Sequence, residues 1–198
     1  MSEAARIGIY GGTFDPPHTT HLDIARAALQ HAHLDKVLFV VAASPPHKSG
    51  GVHAAAGDRL AMVEAALLNE REMEVSRVEL DRRGTSYTVD TLRELQRSHP
   101  NARLFLILGS DSVQDLPRWR QPEQIVALAE LLVVQRPGAP AESPPTLDGR
   151  SSVVPFQERD VSSTRIRECL ARGEDVSGMV PESVLAVIRE RGLYRARR

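Results

Sequence analysis

Apolar residues along this chain fall into short dense runs, separated by longer stretches with helical spacing. Residues 7–10 form an apolar run that reads as a buried strand. Residues 36–43, centred on Val37, Leu38, Phe39, Val40 and Val41, are too apolar and β-branched for an exposed element and read as a central parallel strand. Further strands are expected at 73–78, 104–108, 131–134 and 153–156. Between these runs the pattern changes to that of helices. Leu22, Ala25, Leu29 and Ala32 make one stripe on a helix over 20–32. Asp58 is suited to cap a helix reaching about residue 68, Ser86 or Thr88 opens another to about residue 96, and 123–129 is helical. Two helices close the chain, at 163–171 and 181–191. Pro181 suits the first helical position of the second, and Gly192 suits its C-terminal cap. Residues 44–57 and 137–149, rich in Pro and small residues, read as loops, and no internal repeat is visible.

Strands alternating with helices imply an α/β fold with a mostly parallel sheet and right-handed crossovers. Ligands in such sheets sit at the carboxyl ends of the strands, near the point where strand order reverses. Three segments fall there: 11–21 after the first strand, 44–48 after the second, and 109–111 after a later one. The sheet would gather them on one edge.

The 198 residues suffice for one compact core, or for a domain with a small appendage. A formal net charge of −1 supplies no global basic field, so neither nucleic acid nor a membrane surface is an expected partner. Cys169 is the only cysteine, which excludes an intrachain disulfide and any zinc site built on several thiolates; a reducing cytoplasmic setting fits. The first six residues hold no apolar signal region, and no run approaches the ~20 apolar residues that span a bilayer. The pattern leaves the oligomeric state open and is compatible with a homo-oligomer.

The segment Gly11-Gly12-Thr13-Phe14-Asp15-Pro16-Pro17-His18-Thr19-Thr20-His21 carries the most chemistry. A glycine-rich turn lets a ligand approach the backbone, and the helix start behind it offers free N–H groups to an anion. His18 and His21, three apart, can point at one anion. Helix-start histidines have lowered pKa values, and a bound polyphosphate would charge them more readily. The segment is neither a Walker loop nor the dinucleotide fingerprint, because both spacings are absent. Its residues alone equally suit a tight turn with one surface and one packed histidine.

Three further segments carry candidate chemistry. In Ser162-Ser163-Thr164-Arg165-Ile166-Arg167, a serine caps the helix and two arginines sit at its positive end. That arrangement makes either a phosphate cradle or a solvated cap whose arginines pair with Glu158 or Asp160. Ser44-Pro45-Pro46-His47-Lys48 is a stiff loop presenting His47 and Lys48, either to a phosphate or merely to solvent. Gly109-Ser110-Asp111 puts a carboxylate at a strand end, where ribose hydroxyls are commonly held. Trp119, the only tryptophan, is either a stacking platform or an ordinary packed aromatic.

Together these elements, with Ser86-Tyr87-Thr88, Thr91-Leu92, Arg136-Pro137-Gly138 and Gly192-Leu193-Tyr194, resemble the bacterial nicotinate-nucleotide adenylyltransferases of the nucleotidyltransferase superfamily. The resemblance runs over nearly the whole chain. It implies a Rossmann-like, doubly wound α/β sheet with a small C-terminal helical segment: one domain, with a core to about residue 157 and a helical subdomain over 158–198. It implies transfer of AMP from ATP to nicotinate mononucleotide, giving deamido-NAD and pyrophosphate, with no protein nucleophile and no dedicated protein metal site. Mg²⁺ would arrive with ATP. By resemblance, His18, His21, Lys48 and Arg167 are the catalytic groups. Gly11, Gly12, Thr13, Phe14, Gly109, Asp111, Ser163 and Thr164 join His18, His21 and Arg167 around ATP. Ser44, His47, Lys48, Thr88, Asp111, Trp119 and Arg136 take the mononucleotide, with Trp119 stacking on the pyridine ring and the Thr88 N–H meeting the carboxylate.

Two positions depart from the family pattern. Thr20 stands where His-x-Gly-His has glycine, putting a methyl and a hydroxyl on the helix's first turn. Ala42-Ala43 replaces residues that are often polar. Rival readings are a pantetheine-phosphate adenylyltransferase, a cytidylyltransferase, and a nucleotide sensor that has lost turnover. Ser86-Tyr87-Thr88, Trp119 and the tail motif argue against the first two, and Thr20 alone supports the third.

Overall fold

In the computed structural model of this chain, residues 4–43, 52–82, 84–135, 150–157 and 160–195 are described. Six strands form one sheet: β1 (Arg6–Gly12), β2 (Lys36–Val41), β3 (Met73–Ser76), β4 (Arg103–Gly109), β5 (Ala129–Val134) and β6 (Ser151–Val154). Their order is β3-β2-β1-β4-β5-β6 and every pairing is parallel. The sheet is therefore doubly wound, and the order reverses between β1 and β4. β1, β2, β4 and β5 are buried on both faces, which is why they read as continuous apolar runs.

The flanking helices are α1 (Thr19–His31), α2 (Ala56–Ala66), α3 (Val78–Asp81), α4 (Thr88–Ser98), α5 (Ser110–Asp115), α6 (Pro122–Leu128), α7 (Ser163–Arg172) and α8 (Glu182–Glu190). They enclose two apolar layers, one on each sheet face. In one, Phe39, Phe105 and Ile107 meet α1, α2, α7 and α8 through Leu22, Met62, Ile166 and Ile188. In the other, Ile9, Leu38 and Leu106 meet α4 and α6 through Leu92 and Ile125.

Several boundaries differ from the sequence reading. Asp58 lies inside the first turn of α2, which starts from Ala55; there its carboxylate faces the helix's positive end and pairs with Arg191 at 2.7 Å. β3 stops at Ser76 because residues 78–81 turn into the short α3. α5 and the 3₁₀ turn Leu116–Arg118 after it were not expected. β6 sits two residues earlier than its apolar residues suggested. It is an edge strand that buries Val154 and leaves Val153 exposed, so its period-two signal is faint. Pro181 precedes α8 as its cap, and Gly192, at φ 62, follows the cap Arg191 in the left-handed region that glycine tolerates.

Candidate active site

β1 ends at the strand-order reversal, and backbone requirements shape the turn that leads from it into α1. A Cβ on Gly11 would meet nothing within 4 Å, so its missing side chain leaves open space at the strand end. A Cβ on Gly12 would sit 2.7 Å from the Phe14 ring, so that glycine makes room for an aromatic. Phe14, at φ 51, is buried and packs edge-on against His21 with ring centroids 5.1 Å apart. Phe14 thus supports an imidazole from behind.

His18 caps α1 from an extended conformation, at φ −143 and ψ 171. Its backbone N–H donates to His21 Nδ1 at 3.1 Å, which places the neutral His21 proton on Nε2. The two imidazoles lie 3.7 Å apart between centroids, tilted by 31°. Burial pushes the pKa of His18 down to about 4, so in the free protein it is a neutral ring.

The tail closes onto this turn. Ser162 caps α7 by accepting from the Arg165 N–H at 3.2 Å. Ser163 Oγ donates to the Pro16 carbonyl at 2.9 Å, and Arg167 Nη1 donates to the Asp15 carbonyl at 2.8 Å. Arg167 Nη2 also donates to Thr164 Oγ1 at 3.2 Å. The two arginines therefore divide: Arg165 pairs with Asp160 at the surface, while Arg167 reaches across to the β1–α1 turn.

Beneath the turn lies a buried polar hub that the sequence reading missed. The Asp15 carboxylate accepts from the His53 N–H at 2.7 Å, the Ala54 N–H at 3.1 Å and the Tyr194 hydroxyl at 2.7 Å. Arg59 is 1% exposed and donates to the carbonyls of Thr13 at 2.9 Å, Ala43 at 3.4 Å and Ala54 at 3.3 Å. Burial pulls the Arg59 pKa down, and the Asp15 charge opposes that pull. Burial and Asp15 both push the Tyr194 hydroxyl up. Asp15 stood within the sequence motif without a role. Arg59 looks like any polar helix residue, and only its three carbonyl partners reveal it.

Three cavities adjoin along the carboxyl edge. One of about 260 Å³ is lined by Gly11, His18, Thr20, His21, Gly109 and Asp111. A second, of about 140 Å³, shares Gly11 with it and is lined by Glu79, Ser86, Thr88 and Trp119. The third, of about 310 Å³, lies beside Ser86, Thr88 and Trp119 and adds Arg118 and Arg120, the latter 4.7 Å over the Tyr87 ring. Together they form a trench with imidazoles at one end and an aromatic platform at the other. Glu79 lines its middle, held by the Thr91 hydroxyl at 2.7 Å, which in turn accepts from Arg82 at 3.0 Å.

The structure thus brings Gly11, His18, His21, Gly109 and Asp111 into one cleft, with Ser163 and Arg167 fastened to the turn that carries the histidines. Gly12, Thr88 and Trp119 line the adjoining cavity. Thr13 contributes its carbonyl to the hub. Ser44, His47, Lys48 and Arg136 lie outside the described residues.

Comparison with known proteins places this chain in a family. The Cytidylyltransferase-like family model matches residues 9–169. A relative from Thermus thermophilus, named "Probable nicotinate-nucleotide adenylyltransferase", is 45% identical over 192 residues, covering 96% of this chain and all of the relative. One of the same name from Shouchella clausii is 44% identical, covering 96% of each. The chain belongs to the nicotinate-nucleotide adenylyltransferase family. The fold of this family member is also that of the Plasmodium falciparum nicotinic acid mononucleotide adenylyltransferase complexed with NaAD, with a TM-score of 0.79 at 19% identity over 96% of this chain and 97% of that one. No helix among the described residues is long and apolar enough to cross a membrane.

Proposed function

We propose that this chain transfers AMP from ATP to nicotinate mononucleotide, releasing deamido-NAD and pyrophosphate. One observation carries the reading. Arg167, at one end of the sequence, is hydrogen-bonded at 2.8 Å to the turn that presents His18 and His21, and that turn opens into the cavity holding Thr88 and Trp119. A triphosphate lying across the imidazoles would place its α-phosphorus near Gly11, where the first two cavities meet.

An oxygen of the mononucleotide's phosphate attacks the α-phosphorus, the bond from that phosphorus to the bridging oxygen breaks, and pyrophosphate leaves with the electron pair. No protein nucleophile is needed; alignment and charge stabilisation carry the step. His21 donates from Nε2, and His18, neutral when free, gains charge as anion develops beside it. Arg167 and the Thr164 hydroxyl steady the outer phosphates, and Asp111 meets a ribose. Trp119 takes the pyridine ring, with the Thr88 N–H at its carboxylate. Lys48, His47, Ser44 and Arg136 would add polar contacts from outside the described residues.

Mg²⁺ would neutralise phosphate charge. The cation would be held mainly by phosphate and water, with Asp111 as a carboxylate lining the same cleft. The tail is read as part of the same unit, because Ile166, Val184 and Ile188 pack into the cluster that holds Phe39 and Met62. A cytoplasmic location fits this chemistry. Pyrophosphate release, measured with ATP and either nicotinate mononucleotide or phosphopantetheine, tests the reading. Release with the first supports it; release with phosphopantetheine alone refutes it.

A further inference from the structure

Four side-chain polar atoms among the described residues are buried without a hydrogen-bond partner: His18 Nδ1, Thr20 Oγ1, Ser86 Oγ and Ser110 Oγ. All four sit on segments that line the trench. His18 and Thr20 line the cleft itself, Ser86 lines the neighbouring cavities, and Ser110 lies between the cleft residues Gly109 and Asp111. Buried polar groups in folded proteins nearly always have partners, so orphans gathered at one site point to a ligand that completes them.

Thr20 is the informative member, because among the orphan hydroxyls it is the one lining the same cleft as both histidines. It is 4% exposed and sits in the first turn of α1, between the two histidines. As the second residue of α1, Thr20 has no carbonyl of its own helix four residues earlier for its hydroxyl to bond back to. Threonine also populates two χ1 wells in a helix, so one torsional step can re-aim the hydroxyl. That step breaks no hydrogen bond, since the hydroxyl makes none. Around it are a helix N-terminus and two imidazoles, an environment that favours an anion.

We infer that the Thr20 hydroxyl is a ligand of the nucleoside triphosphate, donating to a phosphate oxygen rather than reading the base. This rests on the adenylyltransfer reading for the identity of the nucleotide. The chain would then grip the triphosphate with one donor besides the imidazoles.

The test is Thr20→Val, which keeps the shape and removes the hydroxyl, with Thr20→Ser as the variant that keeps it. Thermal unfolding of the free protein and calorimetric titration with ATP, inorganic tripolyphosphate and adenosine are measured on each. Replacing an orphan hydroxyl by methyl should leave Tm unchanged or raise it. Kd for both ATP and tripolyphosphate should rise about tenfold in Thr20→Val, about one charge-assisted hydrogen bond. Adenosine binding should not change, and Thr20→Ser should stay within about twofold of the parent. A fall in Tm with unchanged Kd values makes the hydroxyl structural and overturns the proposal. Weakened adenosine binding with unchanged tripolyphosphate binding overturns the phosphate assignment. Absence of pyrophosphate release with any mononucleotide would defeat the adenylyltransfer reading, while these binding constants would still decide the role of Thr20.

Discussion

His18 offers a test in which ionisation, burial and function meet. It is 6% exposed, and burial pushes its pKa from the ordinary 6.5 down to about 4. Between those values the unfolded chain carries a proton on this imidazole and the folded chain does not. Unfolding therefore takes up a proton, and acid favours the unfolded state. Stability from this group is complete above the unfolded pKa and is lost as pH falls towards the folded one. With each pKa unit worth a little over 1 kcal/mol, the loss between pH 7 and pH 4.5 is about 2–3 kcal/mol. That is a large part of a typical domain's ~5–15 kcal/mol. The perturbation is His18→Gln, which keeps a polar side chain and removes the titration. Urea unfolding of both proteins at steps from pH 7.5 to 4.5 gives the difference curve, in which histidines remote from the site cancel. The parent should lose about 2–3 kcal/mol relative to the variant across this window, and saturating ATP should flatten the slope, because a phosphate beside His18 favours the imidazolium. Parallel curves would refute the buried neutral ring.

Four other variants have outcomes expected from the geometry. Gly11→Ala should fold as stably as the parent, since its Cβ meets open space, yet it should lower kcat/KM at least tenfold by intruding where the cavities join; Gly8→Ala, whose Cβ would lie 2.8 Å from Leu34 and 3.0 Å from Val37, should instead lower Tm clearly in a thermal scan. Trp119→Ala should raise KM for the mononucleotide about tenfold while leaving KM for ATP near the parent's, as loss of one stacking platform predicts in steady-state kinetics. Tyr194→Phe removes one donor from the buried Asp15 carboxylate and should cost about 1–3 kcal/mol in urea unfolding, with kcat changed less than Arg167→Ala changes it.

The strands of the centre were legible because both faces of β1, β2, β4 and β5 are covered, and such strands are apolar throughout. The long helices were legible from stripes such as Leu22, Ala25 and Leu29. Helices of four and six residues, α3 and α5, span too few turns to show a period. In the site, the turn after β1 declared itself through glycines and paired histidines. The separate tasks of the two glycines did not, because Gly12 serves a ring two residues away and Gly11 serves open space. Nor could the sequence separate Arg165 from Arg167: each stands near the start of one helix, and only the docking of that helix on Asp15 and Pro16 divides them. Arg59 and Tyr194 became visible only with their partners, far away along the chain.

The central claim is that groups from opposite ends of the sequence hold one triphosphate. A double-mutant cycle on ATP binding tests it most directly, using His21→Asn, Arg167→Lys and the pair, with Kd measured by calorimetry at fixed salt and Mg²⁺. Groups sharing one ligand should be coupled, with the double variant departing from the product of the single effects by at least about fivefold, ~1 kcal/mol. Effects that simply multiply would mean that His21 and Arg167 do not meet on the same nucleotide, and would contradict the claim.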